Sequence, residues 1–178
     1  MTLFRTLCLA LLAGAATPAL ALPDDADQPI RIQANAATLD DRRNTAVYTG
    51  NVIITQGSMR LTGSRVTLTA DANGEVSKLV SVGSPATYKQ TPEADGSPVD
   101  SRALTIEYHA AADRVVLIEE AFLEQAGNTF QGQRISYDIQ RQVVDAGRSD
   151  AQDSDSAERI EIIIQPRKRT EPVTNDET

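Results

Sequence analysis

From Val47 to Leu68 (VYTGNVIITQGSMRLTGSRVTL) apolar and polar residues alternate with a period of two, broken every few residues by glycine. Val52-Ile53-Ile54-Thr55 and Met59-Arg60-Leu61-Thr62 flank Gln56-Gly57-Ser58, and Gly63-Ser64 reads as a second turn before Arg65-Val66-Thr67-Leu68. β-branched residues at this period, punctuated by turn residues, predict short antiparallel strands.

The pattern recurs. Shifted by 69 residues, Gln56 falls on Gln125, Gly63 on Gly132, Arg65 on Arg134 and Val66 on Ile135. Val52-Ile53-Ile54 falls on Ala121-Phe122-Leu123, Leu61 on Phe130, Leu68 on Tyr137 and Leu39 on Tyr108. No gap is needed between Ala34–Leu68 and Ala103–Tyr137, so the chain carries a duplicated β unit.

The remaining elements follow in order. Ile30-Arg31-Ile32-Gln33 starts the sheet, Ala34 to Leu39 extends it, and Asp40 to Asn44 turns. Thr45 to Gly50 and Asn51 to Gln56 read as successive strands. Asp71-Ala72-Asn73-Gly74 is a hairpin turn, because Asn-Gly accepts positive φ at little cost. Glu75 to Val82 and Ala86 to Gln90 read as strands separated by Gly83-Ser84-Pro85. Thr91 to Pro98 is the loop between the two units. Leu104, Ile106 and Tyr108 alternate with polar residues, which predicts that they share one face. Val115–Ile118, Ala121–Gln125, Thr129–Gln131, Arg134–Asp138 and Gln142–Ala146 follow at short spacing. Gly147 to Glu158 is a polar loop, and Arg159 to Ile164 is a last, strongly apolar strand stopped by Pro166. A spacing of about ten residues suggests roughly 14–16 strands, all-β, rolled or sandwiched into an elongated antiparallel sheet.

The N-terminus departs from this pattern. Arg5 precedes an apolar run from Leu7 to Ala16, and Ala19-Leu20-Ala21 is a small-x-small site. Residues 1–21 therefore read as a cleavable secretory signal peptide, 22–166 as the β domain and 167–178 as a disordered, solvated tail. Cys8 lies inside the leader, so the mature chain has no cysteine and relies on pairing and packing alone. Arg5 is the leader's one charged residue, so its removal takes the net charge from −8 to −9. Such acidity argues against nucleic acid as a partner.

No catalytic constellation assembles, which argues against an enzyme. His109 is the sole histidine and sits at a strand end. Glu119 and Glu120 are strand neighbours, which predicts opposite faces. Asp150, Asp153 and Asp155 share a loop but lack the spacing of a calcium loop. Neither a metal nor another cofactor is expected. What remains is apolar: Ile30, Ile32, Leu39, Leu61, Val66, Leu68, Leu104, Ile106, Tyr108, Phe130, Ile135 and Tyr137 collect toward a shared interior, with Tyr48, Tyr88 and Phe122 adding larger side chains. Phe122 and Leu123 have opposite parity, so one of the two faces inward. Such a set forms a plain core or an interior that also holds a ligand's hydrocarbon.

Asp27-Gln28-Pro29-Ile30-Arg31-Ile32 followed by Tyr48-Thr49-Gly50-Asn51-Val52-Ile53-Ile54-Thr55-Gln56-Gly57 resembles the OstA-like family of periplasmic lipopolysaccharide-transport proteins. Gly83-Ser84-Pro85-Ala86-Thr87 and Val115-Val116-Leu117 with Ala121-Phe122-Leu123-Glu124-Gln125 fit the same pattern, and the resemblance runs from about Asp27 to Ile164. It implies a β-jellyroll, an open roll of two facing sheets whose apolar groove shields the acyl chains of lipid A. Ile30, Ile32, Tyr88 and Phe122 would line that groove. It also implies head-to-tail self-association and a bridge between inner-membrane-anchored and outer-membrane transport components. The terminal strands, Ile30-Arg31-Ile32 and Ile160 with Ile162-Ile163-Ile164, are the expected open edges for such assembly. Two alternatives stand beside this reading: a scaffold protein with a dry core, and the membrane-anchored relative of the same transport system.

Overall fold

The computed structural model describes residues 25–92, 96–147 and 159–166. The expected leader, the Asp150–Asp155 loop and the C-terminal tail lie outside the described residues. Among these described residues ten strands run in chain order: β1 (Arg31–Gln33), β2 (Ala36–Asp40), β3 (Thr45–Gln56), β4 (Met59–Ala70), β5 (Val76–Gln90), β6 (Val99–His109), β7 (Arg114–Gln125), β8 (Asn128–Asp138), β9 (Val143–Ala146) and β10 (Glu161–Ile163). Single turns of 3-10 helix occupy Asp25–Asp27 and Ala110–Ala112. All ten strands belong to one antiparallel sheet. Its order is β1-β3-β4-β5-β6-β7-β8-β10, with β2 beside β3 and β9 beside β8.

The strands are fewer and longer than the sequence pattern suggests. Gly50-Asn51, Gly63-Ser64 and Gly83-Ser84-Pro85 are not turns between strands. They lie inside β3, β4 and β5, where the pairing register shifts. β6–β7 shifts between Arg102 and Thr105, and β7–β8 between Ile118 and Ala121. Every pairing from β3 to β8 thus carries a bulge at the same level. A bulge bends its strand and sharpens the local twist. Five in line crease the sheet, and the two halves fold onto each other.

Tyr88 and Tyr108 measure that fold. The Cα partner of Tyr108 is Leu79, nine residues from Tyr88 along β5. A flat strand would separate them by about 30 Å, yet their rings stack with centroids 6.4 Å apart. The core lies between the halves. Val52, Ile54, Leu61, Tyr88 and Leu123 come from one half, and Val66, Leu79, Ile106, Leu117, Ile135 and Tyr137 from the other, each no more than 1% exposed. Fully burying each such side chain contributes about 1.5–3 kcal/mol.

The duplication is written in the backbone. β3 and β7 are offset by 69 residues along their whole length, and β4 and β8 begin at the same offset. Positive φ recurs at Asn44 and Asp113, Gly50 and Glu119, Asn51 and Glu120, and Gly57 and Ala126. β1 and β2 pair with β3 as β6 pairs with β7: Arg31↔Thr55 matches Asp100↔Glu124, and Asp40↔Thr45 matches His109↔Arg114. β9 and β10 likewise pair with β8 as β5 pairs with β4. The molecule is therefore two four-stranded units, each with one terminal strand broken in two.

Three local expectations are corrected. Glu119 and Glu120 do not alternate across the sheet; both have positive φ in the β7 bulge, and both are exposed. Leu104 does not join Ile106 and Tyr108 in the core, because the β6 bulge intervenes. The last strand shortens from Arg159–Ile164 to Glu161–Ile163. The Asp71–Gly74 turn is as expected: Gly74 takes φ +84° and donates its N–H to the Asp71 carbonyl.

Candidate functional site

Period-two alternation, corrected for the bulges, sends continuous rows of side chains across the inner face. One row is Ile32, Ile54, Leu61, Tyr88, Ser101, Leu123, Phe130 and Ile162, each the Cα partner of the next. A second, in the facing half, is Ala37, Tyr48, Val66, Ser81, Ile106, Leu117, Ile135 and Ala146. A third runs Leu39, Ala46, Leu68, Leu79, Tyr108, Val115, Tyr137 and Val144. The two buried serines donate their hydroxyls to backbone carbonyls, Ser81 to Thr62 and Ser101 to Tyr88. The inner face is thereby apolar from end to end.

Most of the candidate groove residues fall on these rows. Leu61, Val66, Tyr88, Ile106 and Ile135 are fully buried, and Ile30, Ile32, Tyr48, Leu68, Tyr108 and Phe130 pack around them half-buried. Three candidates differ. Phe122 lies on the outer face, under the guanidinium of Arg102 at 3.9 Å from the ring centroid, while Leu123 takes the inner position. The β7 bulge resets the parity. Leu104 sits at the β6 bulge, outside the core cluster. Leu39 is on an inner row but 67% exposed, because no strand among the described residues lies beyond β2; its duplicate, Tyr108, is covered by β5.

Among the described residues the two ends of the sheet are open. β1 and β2 bond to β3 on one side alone, and β9 and β10 bond to β8 on one side alone. At the β10 end Ile160, Ile162, Ile163 and Ile164 are each at least 43% exposed. Ile160 rests against Gly132, where an added Cβ would come within 3.3 Å of it.

Polar groups gather along the seam where the edges of the two halves meet. Asp25 accepts the Ser58 backbone N–H at 2.6 Å, the Ser58 hydroxyl, and the Gln90 amide at 2.9 Å. The Tyr88 hydroxyl, buried within the core, donates to Gln90 Oε1, and burial holds its pKa well above the ordinary value. Gln125 donates to the Tyr137 hydroxyl at 3.2 Å, and Gln140 to Asp113 at 2.6 Å. The alternation pattern gave no hint of this amide-rich seam. The one trace in the sequence is that Gln56 and Gln125 coincide in the duplication.

On the outer face Glu107 bonds both Lys78 and His109 at 3.1 Å. Partial burial works to raise its pKa, but those bonds outweigh it and hold the carboxyl below its ordinary value. His109, at the end of β6, is half-buried and hydrogen-bonded to Glu107 rather than exposed. Among the described residues no group of three His, Cys, Asp or Glu side chains is placed to hold a metal.

A rolled sheet with an apolar inner face and two open ends is what sequence comparison then puts in context. The family model of the LptA/(LptD N-terminal domain) LPS transport proteins matches residues 31–143. The chain belongs to that family. It is 49% identical over 154 residues to the lipopolysaccharide export system protein LptH of Pseudomonas aeruginosa, covering 86% of this chain and 88% of that protein. It is 33% identical over 156 residues to the lipopolysaccharide export system protein LptA of Escherichia coli, covering 87% and 80%. The crystal structure of P. aeruginosa LptH, described as the LptA-homologous periplasmic component of the conserved lipopolysaccharide transport device, superimposes with a TM-score of 0.73. That match is at 48% identity over 81% of this chain and all of the crystallised one. The family's β-jellyroll is therefore the fold of this chain. No helix among the described residues is long and apolar enough to cross a membrane.

Proposed function

We propose that this chain is a periplasmic lipopolysaccharide carrier that shields lipid A acyl chains inside the roll. Copies join head to tail into a bridge between inner-membrane-anchored and outer-membrane transport components. The physical need is plain: each CH₂ left in water costs about 0.8 kcal/mol, so a multi-chain lipid needs a continuous apolar path.

One observation carries the reading: the two open edges are the two halves of a junction the molecule already contains. β9 and β10 are the duplicates of β5, β1 and β2 are the duplicates of β6, and β5 pairs with β6 in the middle of the sheet. Repeating that junction between copies sets the register. Tyr88↔Ser101 becomes Ile162↔Ile32 of the next copy, and Leu79↔Tyr108 becomes Val144↔Leu39. The exposed Leu39 and Ile162 would then be covered, and each inner row would run unbroken into the following copy. At about 4.8 Å per strand and eight strand positions, each copy adds about 40 Å of groove. A head-to-tail contact of this kind grows without closing.

Deletion of residues 159–178 tests the proposal. The truncated protein is expected to sediment as a monomer at concentrations where the full mature chain forms oligomers, and still to bind lipopolysaccharide. Oligomers of unchanged size after truncation, or a full chain that stays monomeric when concentrated, would sink the assembly model. Lack of lipopolysaccharide binding by either form would favour a scaffold with a dry core.

A further inference from the structure

At the seam, a cavity of about 240 Å³ opens between Asp25, Gln56 and Gln90 on one half and Tyr108, Asp113 and Gln140 on the other. Its lining contains two carboxylates and several amides, and none of the described residues that line it is basic. Met59, which is 3% exposed in the core cluster, and Ile139, which packs against that cluster, also border it. The volume is below the range of about 300–1,000 Å³ usual for pockets that swallow a whole drug-sized ligand. It suits one ring of a headgroup.

We propose that this mouth is a saccharide subsite, seating a sugar ring of an amphiphile whose acyl chains lie in the roll. The inference rests on the lipid-carrier reading and adds to it which part of the headgroup the protein touches. Carboxylates are acceptors and amides are both donors and acceptors, which matches the hydroxyl and amide groups of a hexosamine. The same carboxylates repel phosphate, and a phosphate-reading mouth would carry Arg or Lys. Tyr108, stacked on Tyr88, presents aromatic surface beside these polar groups. The hydrogen-bonded order of the rim, with Gln140 held by Asp113 and Gln90 held between Asp25 and the Tyr88 hydroxyl, fixes the amides before a ligand arrives. Headgroup phosphates would then project outward from the mouth into solvent.

The test uses the mature full-length chain and the double variant Asp113→Asn with Gln140→Ala. Asn tolerates the left-handed backbone at position 113, where φ is +41°, and Gln140 is exposed. Displacement of fluorescent lipopolysaccharide is measured with lipid A and with phosphatidic acid, which has phosphate and chains but no sugar. Binding of the deacylated glucosamine disaccharide is followed by NMR at the glutamine side-chain amides. The expected result is a wild type that prefers lipid A over phosphatidic acid, and a folded variant that loses about tenfold for lipid A and nothing for phosphatidic acid. Equal loss for both lipids, no loss for either, or a wild type that does not discriminate overturns the subsite and leaves the lipid carrier standing. If neither lipid binds, the carrier reading falls and the subsite for an amphiphile's sugar falls with it.

Discussion

Cysteine cross-linking can read the register between copies residue by residue. Ile32 and Ile162 end the same inner row at opposite edges of the sheet. Within one chain they are seven ladder steps apart, about 34 Å along a flat sheet, so a disulfide between them has to join two molecules. In the proposed junction they are direct cross-strand partners. Such partners have Cα atoms about 4.5–5.5 Å apart, inside the about 4.4–6.8 Å that a disulfide needs. A slip of one residue moves a side chain to the opposite face. Ile32→Cys with Ile162→Cys should therefore oxidise to a ladder of dimers, trimers and higher species on non-reducing gels. Ile32→Cys with Ile163→Cys should remain mostly monomeric. Cys8, in the expected leader, is the one cysteine of the sequence, so protein produced from residue 22 onward carries the introduced pair alone. Equal ladders from both pairs, or a stronger ladder from the Ile163 pair, would refute the register taken from the β5–β6 junction. Denaturing mass spectrometry of the dimer band would identify the linked peptides.

Other consequences follow from single positions. Ile106 is fully buried; Ile106→Asp should cost at least about 3 kcal/mol in urea unfolding and weaken lipopolysaccharide binding, and a folded variant with unchanged binding would count against an interior lipid site. At Gly83 an added Cβ would lie 2.5 Å from the backbone nitrogen of Ala86; Gly83→Ala should lower stability by about 1–3 kcal/mol in the same assay. The depressed pKa of Glu107 makes its ion-pair contribution present above its unfolded value of about 4.3 and lost as pH falls through the folded value, so Glu107→Gln should flatten the acid limb of thermal stability. Tyr88 works in the opposite sense: its raised pKa favours the neutral hydroxyl, stability is full below about pH 10 and falls above it, and Tyr88→Phe should flatten the alkaline limb.

The all-β character, the duplication and most of the inner face were legible because period-two alternation is a local property. The errors share one physical origin. Parity survives only while every residue is paired, and each bulge inserts residues that reset it. Leu104 was grouped with Ile106 and Tyr108 by counting across the β6 bulge and lies outside the core cluster; the resemblance placed Phe122 in the groove, and the β7 bulge turns it outward. Nothing in Ile118-Glu119-Glu120-Ala121 announces a bulge. Its duplicate, Gly50-Asn51, has the residue types that take positive φ readily, and reading the two together would have marked both sites. Leu39 takes the inner row that the pattern predicts, but its exposure depends on whether a neighbouring strand exists, which the local pattern does not encode. The seam escaped notice because its members, from Asp25 to Gln140, come together only after the sheet folds along its crease.

The central claim is that acyl chains occupy the inner face, and photo-cross-linking from adjacent residues of β7 tests it most directly. Leu123 points into the roll and is 1% exposed, while Phe122 points out beneath Arg102. With a photoreactive amino acid at each position in turn, in cells making lipopolysaccharide, Leu123 should yield a lipopolysaccharide adduct and Phe122 should not. Adducts from Phe122 without adducts from Leu123 would place the lipid on the outer face and contradict the account.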